Sequence, residues 1–288
     1  LSRKTSKSSP SQVRLLASQV DGTRLWETHL RPILSQAVRQ INRNTSSSHP
    51  SLSCLSLNTS PPPYPPFPRG QATFSNIIAT LDPGTPRRLL LTYHYDSKVL
   101  PLDTRVPERV FLGASDSAVP CAMILELASA LDTQLKALNQ RRVFFDGEES
   151  FEEWTATDSL RINAPGRAHD THTNLLQAVD LFVLLDLLGG PDPLIVNHFD
   201  NTARWFDCLQ KRLHRQGLLT SHPSEQTYFR KDVYLGPVQE DHIPFLRKGV
   251  PVFHDIATPF PLFWHMLDGT EENLTKVLAV FLAEYLGF

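Results

Sequence analysis

Arg88-Leu89-Leu90-Leu91-Thr92-Tyr93-His94-Tyr95-Asp96 is the stretch that decides the fold. Residues 88–93 form a short apolar run, which reads as a buried strand, and the run ends on His94 and Asp96. The same arrangement recurs on either side. Residues 74–81 read as a strand, and 143–145 as a short one leading into Asp146-Gly147-Glu148-Glu149. Residues 180–185 read as an apolar strand ending at Asp186, with Gly189-Gly190 behind it, and 251–256 as a late strand. Helices fall between them. Pro120 suits a first helical turn, followed by an apolar face of Ile124, Leu127, Ala128, Leu131 and Leu135. Residues 203–216 read as a helix closed by Gly217, and 275–286 as a closing helix. Strands alternating with helices imply an α/β fold: three layers, with a mostly parallel central sheet and helices on both faces.

The amino-terminal part is less regular. Residues 1–20 read as a polar, disordered tail, Ser- and Lys-rich at its start. Residues 21–288 form a single α/β catalytic domain, and 26–41 an amphipathic helix broken near Pro32. Residues 42–70 are Ser-rich and then contain Pro61-Pro62-Pro63-Tyr64-Pro65-Pro66, an irregular surface excursion without a buried element.

Composition narrows the classes. At 288 residues the chain can bury a large core. Its net charge of −2, with scattered Lys and Arg, argues against a nucleic-acid partner. No apolar run reaches the roughly 18 residues of a membrane span, so membrane attachment is expected only through an anchor upstream of Leu1. Cys54, Cys121 and Cys208 allow at most one disulfide, and no CxxC pair is present. Asn44-Thr45-Ser46, Asn58-Thr59-Ser60 and Asn273-Leu274-Thr275 fit the glycosylation pattern and permit a secretory location.

His94, Asp116, Glu148, Glu149, Asp186 and His265 all fall at or just after strand ends. In open parallel sheets ligands bind beyond the carboxyl ends of the strands, so one shared site is favoured over scattered caps and loop acids. Asp116, Glu149 and His265 offer two carboxylates and an imidazole, the donor set of an open catalytic zinc site. Glu148 is a spare carboxylate beside a ligand, suited to moving protons. The bland alternatives are a helix cap at Asp116, solvated carboxylates at Glu148 and Glu149, and packed histidines at His265 and His254.

Six motifs together resemble the animal glutaminyl-peptide cyclotransferases, which share the fold of zinc aminopeptidases. They are His94-Tyr95-Asp96-Ser97-Lys98, Asp116-Ser117-Ala118-Val119-Pro120-Cys121, Asp146-Gly147-Glu148-Glu149, Leu184-Leu185-Asp186-Leu187-Leu188-Gly189, Asp241-His242-Ile243-Pro244-Phe245-Leu246-Arg247, and Pro259-Phe260-Pro261 with Trp264-His265. The likeness runs over about residues 73–288, and the carboxyl-terminal stretch 278–287 looks most like the Golgi-resident branch. The resemblance implies one zinc per chain held by Asp116, Glu149 and His265, and peptide or protein substrates with N-terminal glutamine or glutamate. It implies Glu148 as the proton carrier, with Asp186 and Glu240 in the catalytic network. Trp154, Gln239, Phe260 and Trp264 would then bind substrate, with Ser117 and His254 as supporting groups. His94 and Asp186 would hold a second zinc in the aminopeptidases. A monomer in the Golgi lumen is expected, with secretion as the alternative.

The chain also departs from that pattern. Tyr93 stands where the resemblance implies a cysteine paired with Cys121, so Cys121 is expected as a buried thiol. Glu240 replaces an aspartate, and Asp255 an apolar residue on a buried strand. The family's arginine- and glycine-bearing loop and first strand are not recognisable between Pro32 and Gln71. Arg161-Ile162-Asn163-Ala164-Pro165-Gly166 replaces a tyrosine-glycine helix start, and Gln140-Arg141-Arg142 shortens the strand before Asp146. Two other functions therefore stay open: a zinc aminopeptidase of the same fold, and a catalytically impaired relative.

Overall fold

The computed structural model describes residues 9–35, 54–58, 75–80, 88–97, 112–136, 141–144, 178–188, 194–216, 229–230, 238, 240–258, 260 and 279. Its centre is a six-stranded sheet in the order β1-β2-β4-β3-β5-β8. The strands are β1 Cys54–Asn58, β2 Ser75–Thr80, β3 Arg88–Thr92, β4 Arg141–Phe144, β5 Val179–Asp186 and β8 Val252–Ile256. β4, β3, β5 and β8 run parallel, and β2 is antiparallel to both its neighbours. A small parallel pair, β6 Ile195–Val196 and β7 Phe229–Arg230, adjoins the end of β8, where Ile195 bridges to Ala257 and Thr258 N donates to Leu194 O at 2.7 Å.

Alternation along the central strands sends side chains to two faces. Leu89, Leu91, Leu181, Val183, Leu185 and Phe253 pack with one cluster. It includes Ala122, Met123, Ile124 and Leu127 of α4 (Val119–Ala130) and Phe206 and Leu209 of α6 (Ala203–Gln216). Leu90, Phe182, Leu184 and Val252 face the other way, against Phe245 of α7 (Ile243–Arg247), whose ring centroid lies 4.3 Å from that of Phe182. Apolar burial on both faces is what a parallel sheet requires, and it makes the domain three-layered. α5 (Asp132–Lys136) continues beyond α4.

Several expectations are corrected at the amino-terminal end. Residues 10–17 are not a tail: α1 (Pro10–Ala17) buries Val13, Leu16 and Ala17 in the larger core cluster. Ser9 Oγ accepts from Gln12 N at 3.2 Å, and Ser9 N donates to Gln12 Oε1 at 2.8 Å. This capping box, with Pro10 in the first turn, was readable in the Ser-rich composition that suggested disorder. The following helix begins at α2 (Gly22–Arg24), where Asp21 Oδ1 accepts from Thr23 N and Arg24 N. It continues through a π-helical turn, Leu25–Leu30, into α3 (Arg31–Leu34). Pro32 follows directly on the π-helical turn, where the ordinary i→i−4 ladder is already rearranged, so the chain stays helical to Leu34 and does not break at Pro32 as expected. Within 42–70, Cys54–Asn58 pairs with β2 and supplies a first strand where none was recognisable. Arg141 and Arg142 lie inside β4, which pairs with both β2 and β3.

One buried carboxylate ties this end to the core. Glu126 of α4 is fully buried; its Oε1 accepts from Asp21 N at 2.8 Å and from Arg24 Nη2 at 2.6 Å. Its Oε2 accepts from Arg24 Nε at 2.8 Å and lies 3.4 Å from His29 Nε2. Burial pushes this carboxyl up, but His29, Arg24 and the Asp21 amide outweigh it and hold it below its ordinary value. Arg24 is one-third exposed and can rehydrate when its partner is lost. Glu126→Ala is therefore expected to cost about 3 kcal/mol of unfolding free energy, read by chemical denaturation.

Asp255 of β8 is buried, with Oδ1 lacking a hydrogen-bond partner, and burial pushes its carboxyl up to about 7. Folding thus takes up a proton, and stability falls as pH rises from the unfolded value of 3.8 through about 7. Asp255→Val is expected to stabilise the fold by about 4 kcal/mol at pH 8 and by far less at pH 4. Melting curves of both chains across that range check this; a pH-independent gap would remove Asp255 as its source.

Candidate active site

Strand register brings the site together. β3 pairs with β5 so that Thr92 faces Leu184, which carries His94 level with Asp186. Asp186 in turn pairs with Ile256 at the end of β8. Thr92 Oγ1 donates to Val183 O at 3.0 Å and anchors the strand end. Immediately after Asp186, Leu187 has φ 50°, a left-handed conformation costing roughly 1–2 kcal/mol in a leucine, where the chain leaves the sheet.

Asp116 arrives from a loop. Gly113 (φ 56°) makes the left-handed turn that opens the segment Ala114–Ala118, and Ala118 N donates to Gly113 O at 3.0 Å. The Asp116–Ser117 peptide is cis, and both residues depart from helical torsions before α4 begins.

His94, Asp116 and Asp186 converge in a buried cluster. His94 Nε2 lies 3.0 Å from Asp116 Oδ1 and 3.3 Å from Asp186 Oδ1, and its Nδ1 lies 3.4 Å from Asp96 Oδ1. Ser117 Oγ donates to Asp186 Oδ1. Burial alone would push the His94 imidazole down, but hydrogen bonds to Asp116, Asp186 and Asp96 carry it well above its ordinary value. Two occupants satisfy this concentration of negative charge: a proton on His94, or a cation between the three side chains. The donor set fits a divalent cation, because two carboxylate oxygens face one ring nitrogen while a third carboxylate orients the ring from behind.

Glu240 and His254 form a second buried group. Glu240 Oε2 and His254 Nε2 are 2.9 Å apart and share one hydrogen bond. Burial, then the charge of Asp186, pushes the Glu240 carboxyl well above its ordinary value, while burial pushes His254 down to about 4. Ser117, Asp186, Glu240 and His254 thus lie in one polar region at the carboxyl edge of β5 and β8, and Phe260 packs beside the Leu187–Ile256–Ala257 cluster.

Glu148, Glu149, Trp154, Gln239, Trp264 and His265 lie outside the described residues. The expected ligand set is thus represented by Asp116, and the described residues add His94 and Asp186 beside it. At Cys121 the expected buried thiol is present: its Sγ donates to Tyr93 Oη at 2.7 Å, in the place where the resemblance implies a disulfide. His198 and His242, set aside as packing residues or left unweighed, stand beside His254 with ring centroids 5.2 and 4.6 Å away. Their common signal in the sequence was position just after a strand or just before a helix.

A parallel sheet whose carboxyl edge gathers buried carboxylates and an imidazole defines a metallo-exopeptidase-like α/β protein. Residues 76–284 match Peptidase family M28. The chain is 45% identical over 309 residues to the glutaminyl-peptide cyclotransferase-like protein of Mus musculus, covering 97% of this chain and 80% of that protein. It is 43% identical to the glutaminyl-peptide cyclotransferase of Bos taurus, covering 96% and 86%. The crystal structure of Macrostomum lignano glutaminyl cyclase superposes with a TM-score of 0.76 at 28% identity, covering 99% of this chain and 96% of that one. The chain belongs to Peptidase family M28, on the branch of the glutaminyl-peptide cyclotransferases.

Proposed function

We propose that this chain is a glutaminyl-peptide cyclotransferase, closing the N-terminal glutamine, or more slowly glutamate, of a peptide into a pyroglutamyl ring. The reading is carried by 45% identity to a cyclotransferase-like relative across 97% of the chain. The buried polar edge around Asp116 and Asp186 supports it, as chemistry on a carbonyl needs charged groups in a dry site.

One catalytic zinc per chain would be held by Asp116, Glu149 and His265, and when bound would polarise the γ-carbonyl as a Lewis acid. A protonated His94 would offset part of the negative charge of Asp116 and Asp186 beside that position. The substrate's α-amine is the nucleophile, and ammonia leaves when glutamine is the substrate. Glu148 would take the amine proton and return it to the departing nitrogen. Asp186, fixed by Ser117 and His94, would accept a hydrogen bond from the substrate nitrogen. Glu240, hydrogen-bonded to His254, would position that carboxylate. Trp154 and Trp264 would exclude water, favouring ring closure over hydrolysis. Gln239 would meet the peptide backbone, and Phe260 would line the pocket.

An aminopeptidase is the second reading, because His94, Asp116 and Asp186 converge as the ligands of a second metal would. We assign the chain to the Golgi lumen as a monomer, with secretion as the alternative. Among the described residues no helix is long and apolar enough to cross a membrane. Co-localisation of a tagged protein with a Golgi marker tests the assignment.

The deciding assay incubates the purified protein with a glutamine-initiated peptide and reads ammonia, free amino acid and zinc together. Ammonia without free amino acid is expected. Free N-terminal residues would establish the aminopeptidase, and absence of both metal and turnover the impaired relative. Glu148→Gln is expected to retain zinc and lose at least about 100-fold in turnover. His265→Ala is expected to lower bound zinc; unchanged metal content would take it out of the ligand set.

A further inference from the structure

The loop that presents Asp116 rests on two supports. One is the sheet edge, where Asp116 Oδ1 lies 3.0 Å from His94 Nε2 and Ser117 Oγ donates to Asp186 Oδ1. The other is α3, which packs against Ala114–Ala118. Ile33 and Leu34 of α3 join the same apolar cluster as Ala118 and Val119 at the start of α4. α3 is the end of a helical arm that begins at Asp21 and packs along α4 through its π-helical turn. A π-helical turn is wider than an α-helical one, and here it brings Leu25, His29 and Leu30 together into the core.

The arm itself is fixed by one buried carboxylate. Glu126 takes both prongs of Arg24, Nε at 2.8 Å and Nη2 at 2.6 Å, and the Asp21 amide at 2.8 Å. A two-pronged pair sets the orientation of a guanidinium as well as its distance. Glu126 sits about 12 Å along α4 from Ala118, too far to touch Asp116 itself. We propose that Arg24 and Glu126 are positioning residues for the metal site: their ion pair fixes the arm, and the α3 end of the arm holds the loop that presents Asp116. This rests on the reading of Asp116 as a metal ligand, and it holds for a cyclase and a peptidase alike. A ligand set works only within about 0.5 Å of its productive geometry. A loosened arm therefore weakens metal binding without removing any ligand.

Metal-free full-length protein is titrated with Co2+ and followed by visible absorption, which reports both the dissociation constant and the ligand geometry. Arg24→Met keeps the aliphatic stem and removes the charged fork. It is expected to raise the Co2+ dissociation constant about 10-fold and to alter the visible bands. Ile33→Ala, which loosens α3 and leaves the ion pair intact, is expected to do the same. Arg31→Ala breaks the exposed pair with Glu27 on the same arm and is expected to leave both readings unchanged. Wild-type affinity and spectrum in Arg24→Met, with only the melting temperature lowered, would make the pair purely structural and overturn the proposal. If Arg24→Met fails to fold, Ile33→Ala decides: weakened binding supports the arm, and unchanged binding overturns it. Asp116→Asn in the same titration separates the two readings. If it loses Co2+ and Arg24→Met does not, only the positioning role fails. If it binds Co2+ as the wild type does, the ligand reading fails and the positioning role with it.

Discussion

Crowding of negative charge around one imidazole is the constraint on which the rest of this structure depends. Asp96, Asp116 and Asp186 surround His94 at the edge of a sheet whose two faces are filled with leucine, valine and phenylalanine. Carboxylates in such a place are tolerated only when paired with positive charge or hydrogen-bonded. The histidine and the Ser117 hydroxyl are two such partners, and they meet Asp186 only if β3 and β5 keep their register. A slip of one residue would move His94 and Asp186 to opposite faces. The parallel pairing that builds the core and the pairing that builds the site are the same hydrogen-bonded ladder.

The layer covering this edge is held by different means. Glu126 collects the Asp21 amide, the Arg24 guanidinium and His29, so a segment more than a hundred residues away in sequence becomes part of the α4 face. Near the site, Tyr93 and Cys121 meet through a hydrogen bond. A disulfide would restrain the unfolded chain as well as the folded one, whereas a hydroxyl–thiol contact acts only in the folded state. Asp255 works in the opposite direction, since a buried carboxyl on β8 favours the fold only while it keeps its proton.

Much of the central domain was legible in residue order. The apolar runs ending in His94 and Asp186 are the central strands, residues 203–216 form α6 as expected, and Pro120 lies in the first turn of α4. The amino-terminal third was read less well. Its serines and prolines suggested a tail and an excursion, yet Ser9 caps a buried helix and Cys54–Asn58 is a strand. Composition reports the mean polarity of a stretch, while a capping box or an edge strand needs only a few residues in the right order.

By itself the sequence determined the alternation of strands and helices, the chemical groups at the strand ends and the family to which they belong. These follow from local periodicity and from motifs a few residues long. Only the tertiary structure decided which groups meet. Glu126 reaches back to Asp21, His94 sits level with Asp186, and Glu240, His242 and His254 close on one another with His198 alongside. Such contacts depend on strand register and on how helices lie across the sheet, and these are set by packing over the whole core rather than by any single stretch of chain.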